Sequence, residues 1–240
     1  MNAYYNYPPY VSQAERLKKA LKIYDRLRKK NPNLSPISVE GKIAKTWWGK
    51  SWCDNLEKYE IYQNRLGRGR SYLRAGMVLD LQIEEGLIKS LVVGSGRKPY
   101  EITIKIDLLN KDLEKNIIEA VGNKIESLEQ LLIGQFPKEF GNLFLNQDGG
   151  IFPSPKEIHF ICNCLDYADM CKHCAATLYG VGARLDKEPL LFFKLRGIDF
   201  NVFLKKTAES KLSLLLQNAG KKTGRVIEGC DIEKVFGLGG

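Results

Sequence analysis

Histidine is scarce in this chain of 240 residues, which holds only His159 and His173, so little imidazole is on hand for acid–base or nucleophilic chemistry. No G-x-x-x-x-G-K-S/T phosphate loop and no Gly-x-Ser-x-Gly elbow occurs, and the scattered Asp and Glu residues form no local pair suited to a nuclease. These gaps argue against an enzyme and against a small-molecule substrate. No stretch approaches the roughly 18 uninterrupted apolar residues of a membrane span. Residues Met1 to Tyr10 are polar and tyrosine-rich, without the apolar centre of an export signal. The expectation is a soluble, cytoplasmic protein with no membrane partner.

Cysteine is sparse too, but unevenly placed. Six would allow three disulfides, yet four lie between positions 162 and 174, while Cys53 and Cys230 stand far apart. Crowding of that kind without an export signal favours a metal over disulfides. Cys162, Cys164, Cys171 and His173 have the spacing C-x-C-x6-C-x-H. Three thiolates and one imidazole make a tetrahedral set that suits zinc, and four protein ligands leave no position open for water. The site is therefore structural, clamping a strand end to a helix that starts near Ala175, and removing the ion should loosen that corner. Cys174 adjoins His173 and competes as a ligand, although its apolar helical position ahead of Ala175 and Ala176 favours packing. His159, on the strand, reads as structural.

The formal charge of +9 is not evenly spread either. Residues 1–105 hold 20 Lys+Arg against 10 Asp+Glu, and the remainder 17 against 18. Nine of the 11 tyrosines and all three tryptophans share the basic stretch. Basic groups interleaved with flat rings suggest a polyanionic partner, against the plainer reading that the charge serves solubility.

Hydrophobic periodicity divides the chain further. A charged helix spans Ala14 to Lys30 with an apolar face of Leu17, Leu21, Tyr24 and Leu27, and a linker follows from Asn31 to Gly41. Trp48, Trp52, Leu56 and Tyr59 share one face of a second helix and read as core. Alternation in Val78–Ile83, Ile88–Val93 and Ile102–Ile106, with glycines between, predicts an antiparallel meander. A long helix from Lys111 to Gly134, a short one from Pro137 to Leu145, a strand from Glu157 to Ile161 and two C-terminal helices (Leu190–Leu195, Val202–Leu216) complete the pattern. The last residues, from Gly220, look loosely held. The fold class is α+β: an antiparallel β-meander with packed helices, a structural zinc module and a helical C-terminal part.

Between the tryptophan helix and the first strand, Gln63 to Gly76 reads QNRLGRGRSYLRAG, with four arginines, three glycines and no acid. The glycines predict an irregular loop in which Arg65, Arg68, Arg70 and Arg74 set guanidinium forks against phosphates, with Tyr72 and nearby Tyr62 stacking on exposed bases. The structural alternative pairs some of these arginines with Asp54, Glu57 or Glu60. Lys50, Arg97 and Lys98 are secondary candidates, and Lys18, Lys19, Lys22 and Lys29 give diffuse support.

The cysteine cluster resembles the SWIM zinc finger, whose pattern is C-x-C-x(n)-C-x-H, and LDYADMCKHCAATLYGVG is similar to that family's segment between and after the ligands. The motifs Trp47-Trp48-Gly49-x-x-Trp52, Arg65-Leu66-x-Arg68-Gly69-Arg70-x-Tyr72-x-Arg74-x-Gly76 and Gly94-Ser95 leading to Pro99-Tyr100 resemble the N-terminal region of stand-alone bacterial SWIM proteins. The resemblance assigns the four ligand roles to Cys162, Cys164, Cys171 and His173. It implies binding of DNA or protein and association with a Swi/Snf-type helicase-like ATPase. The expected organisation is a tail and basic helix (1–40), a basic α+β domain (41–148), the SWIM finger (149–182) and a helical region (183–240). The expected function is zinc-binding, non-catalytic nucleic-acid binding, DNA before RNA, through the basic N-terminal half, with the finger stabilising the fold or a docking face, or else an adaptor role beside such an ATPase.

Overall fold

The computed structural model describes residues 11–122, 133 and 150–219. Helix α1 (Gln13–Arg28) starts in a capping box, with Ser12 Oγ accepting from the Glu15 amide and Glu15 Oε2 accepting from the Ser12 amide. Its inward face is not the expected stripe. Leu17 and Leu21 are exposed, and Ala20 and Ile23 are buried instead, with Tyr24 and Leu27 at the flank. This rotation aims Lys19 at the β2–β3 loop, where its ammonium donates to the carbonyls of Gly94 (2.9 Å) and Gly96 (3.0 Å).

The segment expected to be a linker is a packed strap. Leu34 and Ile37 are buried, the Ile37 amide donates to Val78 and the Ser35 carbonyl accepts from the Leu81 amide. The strap thus covers the outer edge of β1 (Val78–Glu84), an edge that would otherwise expose unpaired backbone groups. Strands β1, β2 (Leu87–Val92), β3 (Tyr100–Ile106) and β4 (Ile158–Cys162) pair in that order, antiparallel throughout. The expected meander is present, and β4 joins it alongside β3.

Helix α2 (Trp47–Glu57) and α3 (Gln63–Arg74) follow the strap, and α4 begins at Lys111 and is described as far as Gly122. Beyond β4 come α5 (Lys172–Leu185), α6 (Leu190–Leu195) and α7 (Phe200–Ala219). The later part of the expected 111–134 helix, the 137–145 helix, the first ten residues and the tail from 220 lie outside the described residues. No described helix is long and apolar enough to cross a membrane.

Helix α5 sits between the sheet and the α2–α3 pair, and is buried along nearly its whole length. Trp48, Trp52 and Leu56 are core residues as expected; Trp48 packs on Phe192 with ring centroids 5.4 Å apart, and Trp52 Nε1 donates to the Leu178 carbonyl. Arg196 is fully buried, its guanidinium donating to Glu157 Oε1 at 2.7 Å and to the Asp107 carbonyl, which ties α6 to the root of β4.

One expectation fails outright. The glycine-broken arginine segment is a helix, α3. Leu66, Gly69 and Leu73 fall on one face and bury against α5, and that packing outweighs the low helix propensity of two glycines. At Gly69 the missing side chain is what permits the approach: a Cβ there would lie 2.5 Å from Ala175 Cβ.

Candidate metal centre and its basic surroundings

The end of β4 and the start of α5 bring the four candidate ligands together. Asn163 extends the strand's pairing, donating to the Glu101 carbonyl and accepting the Glu101 amide at 3.0 Å, so the residues on either side of it, Cys162 and Cys164, leave a fixed strand end. Cys171 is the N-cap of α5, in extended conformation, with its Sγ accepting from the Cys174 amide. His173 follows in the first turn and is buried. The ligand atoms of Cys162, Cys164, Cys171 and His173 all lie within 4.8 Å of one another. Cys171 Sγ and His173 Nδ1 are 3.7 Å apart. A tetrahedral ion with bonds of about 2.3 Å to sulfur and 2.0–2.1 Å to nitrogen sets that edge near 3.6 Å. The donor set and its spacing fit a four-coordinate metal, with Nδ1 as the ligating nitrogen.

The rest of the imidazole is packed with care. Its Nε2 is buried without a hydrogen-bond partner among the described residues and faces Gly94, where a Cβ would come within 2.8 Å of it. Tyr100 stacks on the ring at 4.3 Å and Tyr72 meets it edge-on at 5.6 Å. The loop holding Gly94 is the one gripped by Lys19. Hydrogen bonds from the thiols of Cys162 and Cys174 hold the Cys171 thiol well below its ordinary range, and hydrogen bonding to Cys162 and then to Cys171 pushes the Cys174 thiol up. Cys174 is buried as expected, but it does more than fill space: its Sγ lies 3.5 Å from that of Cys171.

Because α3 is a helix, its arginines cannot line up along one backbone. At about 100° per residue, Arg65, Arg68 and Tyr72 fall within roughly 60° of one another, and Arg70 and Arg74 lie about half a turn away. On the metal side, Arg65 donates to Asp166 at 3.1 Å and so pins the loop between Cys164 and Cys171. Arg68 is exposed, and Tyr72 is half-buried between His173 and the Lys172 ammonium, which sits 5.9 Å over its ring. Arg97 and Lys98 are exposed in the loop before Tyr100. On the other side, Arg70 binds Glu57 at 2.5 Å and the Tyr179 hydroxyl at 3.1 Å, so the alternative pairing with Glu57 is realised for this one arginine. Arg74 and Lys50 are exposed there; the Glu60 side chain lies outside the described residues. His159 is half-exposed and bonded to Asp107.

Sequence reasoning missed Lys172, Tyr100 and Gly94 as neighbours of the site. Only the Cys-Lys-His run marked Lys172. The other two are brought in by β3 and its loop, far from the cysteines in sequence.

The chain is similar to Uncharacterized protein Rv2102 of Mycobacterium tuberculosis, at 36% identity over 161 residues, which is 67% of this chain and 58% of that protein. The match thus spans less than two thirds of the relative's length. No family model and no solved structure matches the chain.

Proposed function

We propose that this chain is a zinc-bearing, non-catalytic protein that binds nucleic acid, DNA in preference to RNA, on the surface surrounding a SWIM-type finger. Zinc is the ion favoured by a set of three thiolates and one imidazole with no open position. The observation that carries the binding is the company the centre keeps. Arg68, Arg97 and Lys98 are exposed and without an ion pair among the described residues; Arg68 stands one turn before Tyr72 on α3, and Arg97 and Lys98 lie in the loop leading to Tyr100, the two tyrosines whose rings pack on His173. The metal would hold these groups in place, and the cations would supply a salt-sensitive affinity for phosphates. Arg65 belongs to the finger's own structure in this reading, since its charge is spent on Asp166.

A salt titration of binding to duplex DNA, single-stranded DNA and RNA is the test. Replacing Arg68 by Ala should flatten the slope of log affinity against log salt by about 0.7 for a single strand or 0.9 for a duplex. Absence of salt-sensitive binding to all three would end this reading.

A second reading rests on the ligand loop. Leu165 and Tyr167, between Cys164 and Cys171, are 87% and 97% exposed. An apolar pair held out on a pinned loop is a docking tip for a protein, and the Swi/Snf-type ATPase suggested by the resemblance is the partner this reading proposes. Co-purification with such an ATPase, lost in Leu165→Asp, is its test.

A further inference from the structure

The second face of α3 opens on a cleft that the metal centre does not use. It has a volume of about 310 Å3 and is lined by Lys42 from the strap's end, Lys50, Asp54 and Glu57 from α2, and Arg70 and Arg74 from α3. Four cations face two carboxylates, an excess of two positive charges. Lys42, Lys50 and Arg74 are exposed and have no ion pair among the described residues.

Arg70 differs from the other three cations in being held. Its Nη1 is held by Glu57 Oε1 and by the hydroxyl of Tyr179, and Tyr179 in turn donates to the same Glu57 oxygen at 2.6 Å. The guanidinium carbon lies 5.6 Å from the centre of the Tyr179 ring, so the plane is steadied from beside as well. Both of its bonds are made at Nη1, which leaves the Nε–Nη2 edge, with two parallel N–H groups, without a partner among the described residues. That edge is the fork that matches two oxygens of an oxyanion.

We infer that the cleft binds the terminal phosphate of a phosphomonoester. The two-charge excess matches a phosphate dianion, whereas a carboxylate would leave one charge uncompensated. The Arg70 fork takes two oxygens, and the flexible ammonium groups of Lys42 and Lys50 close on the third. The Arg70–Glu57 pair is neutral as a unit, so the two-charge excess rests on Lys42, Lys50 and Arg74 against Asp54, and Arg70 contributes the geometry of its fork and no net charge. This site lies on the face of α3 opposite Arg68 and does not depend on the nucleic-acid reading.

Titrating the full chain with inorganic phosphate at low salt, followed by calorimetry or phosphorus NMR, tests the inference. The wild type should bind one phosphate saturably. Lys50→Ala, on an exposed residue whose loss cannot unfold the chain, and Arg70→Lys, which keeps the charge but loses the fork, should each weaken binding about tenfold or more. No saturable binding by the wild type, or unchanged binding in both variants and in Arg74→Ala, overturns it. Oligonucleotides carrying a 5′-phosphate or a 5′-hydroxyl then compete against phosphate. Stronger displacement by the phosphorylated strand identifies a nucleic-acid end as the source, and equal weakness of both identifies a free phosphorylated small molecule; either outcome supports the site.

Discussion

Two glycines two residues apart should respond in opposite directions to the same substitution. Gly67 and Gly69 both lie inside α3, and neither has a positive φ, so alanine brings no backbone strain at either. At Gly67 an added Cβ meets nothing within 4 Å among the described residues beyond its own helix backbone. Gly67→Ala therefore gains only the propensity difference, about 0.8–1.0 kcal/mol of added stability. At Gly69 the new Cβ would lie 2.5 Å from Ala175 Cβ, 2.8 Å from the Ala175 carbonyl carbon and 2.9 Å from the Ala176 amide nitrogen. Two of those atoms are backbone, so relief requires the α3–α5 crossing to open. Overpacking of this kind costs about 1–3 kcal/mol, and backbone contacts put it at the upper end. After the propensity gain, Gly69→Ala should lose about 1–2 kcal/mol. For a chain of this size each kcal/mol moves the melting temperature by about 2–4 °C. Thermal melting of the two variants should show Gly67→Ala above the wild type by about 2–4 °C and Gly69→Ala below it by a similar or larger amount. Ala175 lies two positions after His173, so the second variant should also hold its metal less tightly. If both variants shift alike, the segment is not a helix packed on α5, and the division of its arginines between two faces fails with it.

Other outcomes follow from the same contacts. Gly94→Ala would drive a methyl into Tyr100 and to within 2.8 Å of His173 Nε2, pushing the imidazole off its ligating position, and should weaken metal affinity at least about tenfold, measured by competition with a chelator of known affinity. For Glu157, burial raises the carboxyl's pKa, but the Ser154 amide and the Arg196 guanidinium outweigh it and hold the group below its ordinary value of 4.5. A depressed carboxylate contributes its stability above the unfolded value and loses it as pH falls through the folded one. Glu157→Gln should therefore cost stability at pH 7, where the variant strands the buried Arg196, by about 1–3 kcal/mol after discounting Glu157's partial exposure. The gap between variant and wild type should close as pH drops below 4.5 in urea melts, and a gap independent of pH would refute the assignment.

Local patterns in the sequence were reliable where chemistry or alternation was dense. The C-x-C-x6-C-x-H spacing named the four residues that converge, because ligands on a strand end and a helix cap need only short-range order to meet. Ile102, Ile104 and Ile106 alternate cleanly, and their strand was legible for the same reason. The arginine segment was misread because glycine was taken for its flexibility, when Gly69 is there for its size; only the partner surface at Ala175 reveals that, and it lies about a hundred residues away. The strap was misread as a linker since its hydrogen bonds go to β1, and Pro, Asn and Ser do not announce an edge cover. The α1 stripe slipped because Ala20 and Ile23, and not Leu17 and Leu21, turn inward, a choice made by the surface they pack on and invisible to helical periodicity. The Arg70–Glu57–Tyr179 cluster joins three helices, and only the Glu57 pairing was among the alternatives the sequence offered.

The account turns on the metal. Native mass spectrometry of the freshly purified full chain, with and without a chelator, measures it directly, alongside melting of the same two samples. One zinc per chain is expected, with its removal lowering the melting temperature and its uptake abolished in a Cys162→Ser, Cys171→Ser double variant. A chain that carries no metal, takes none up when zinc is supplied and melts identically with the chelator present would contradict the account.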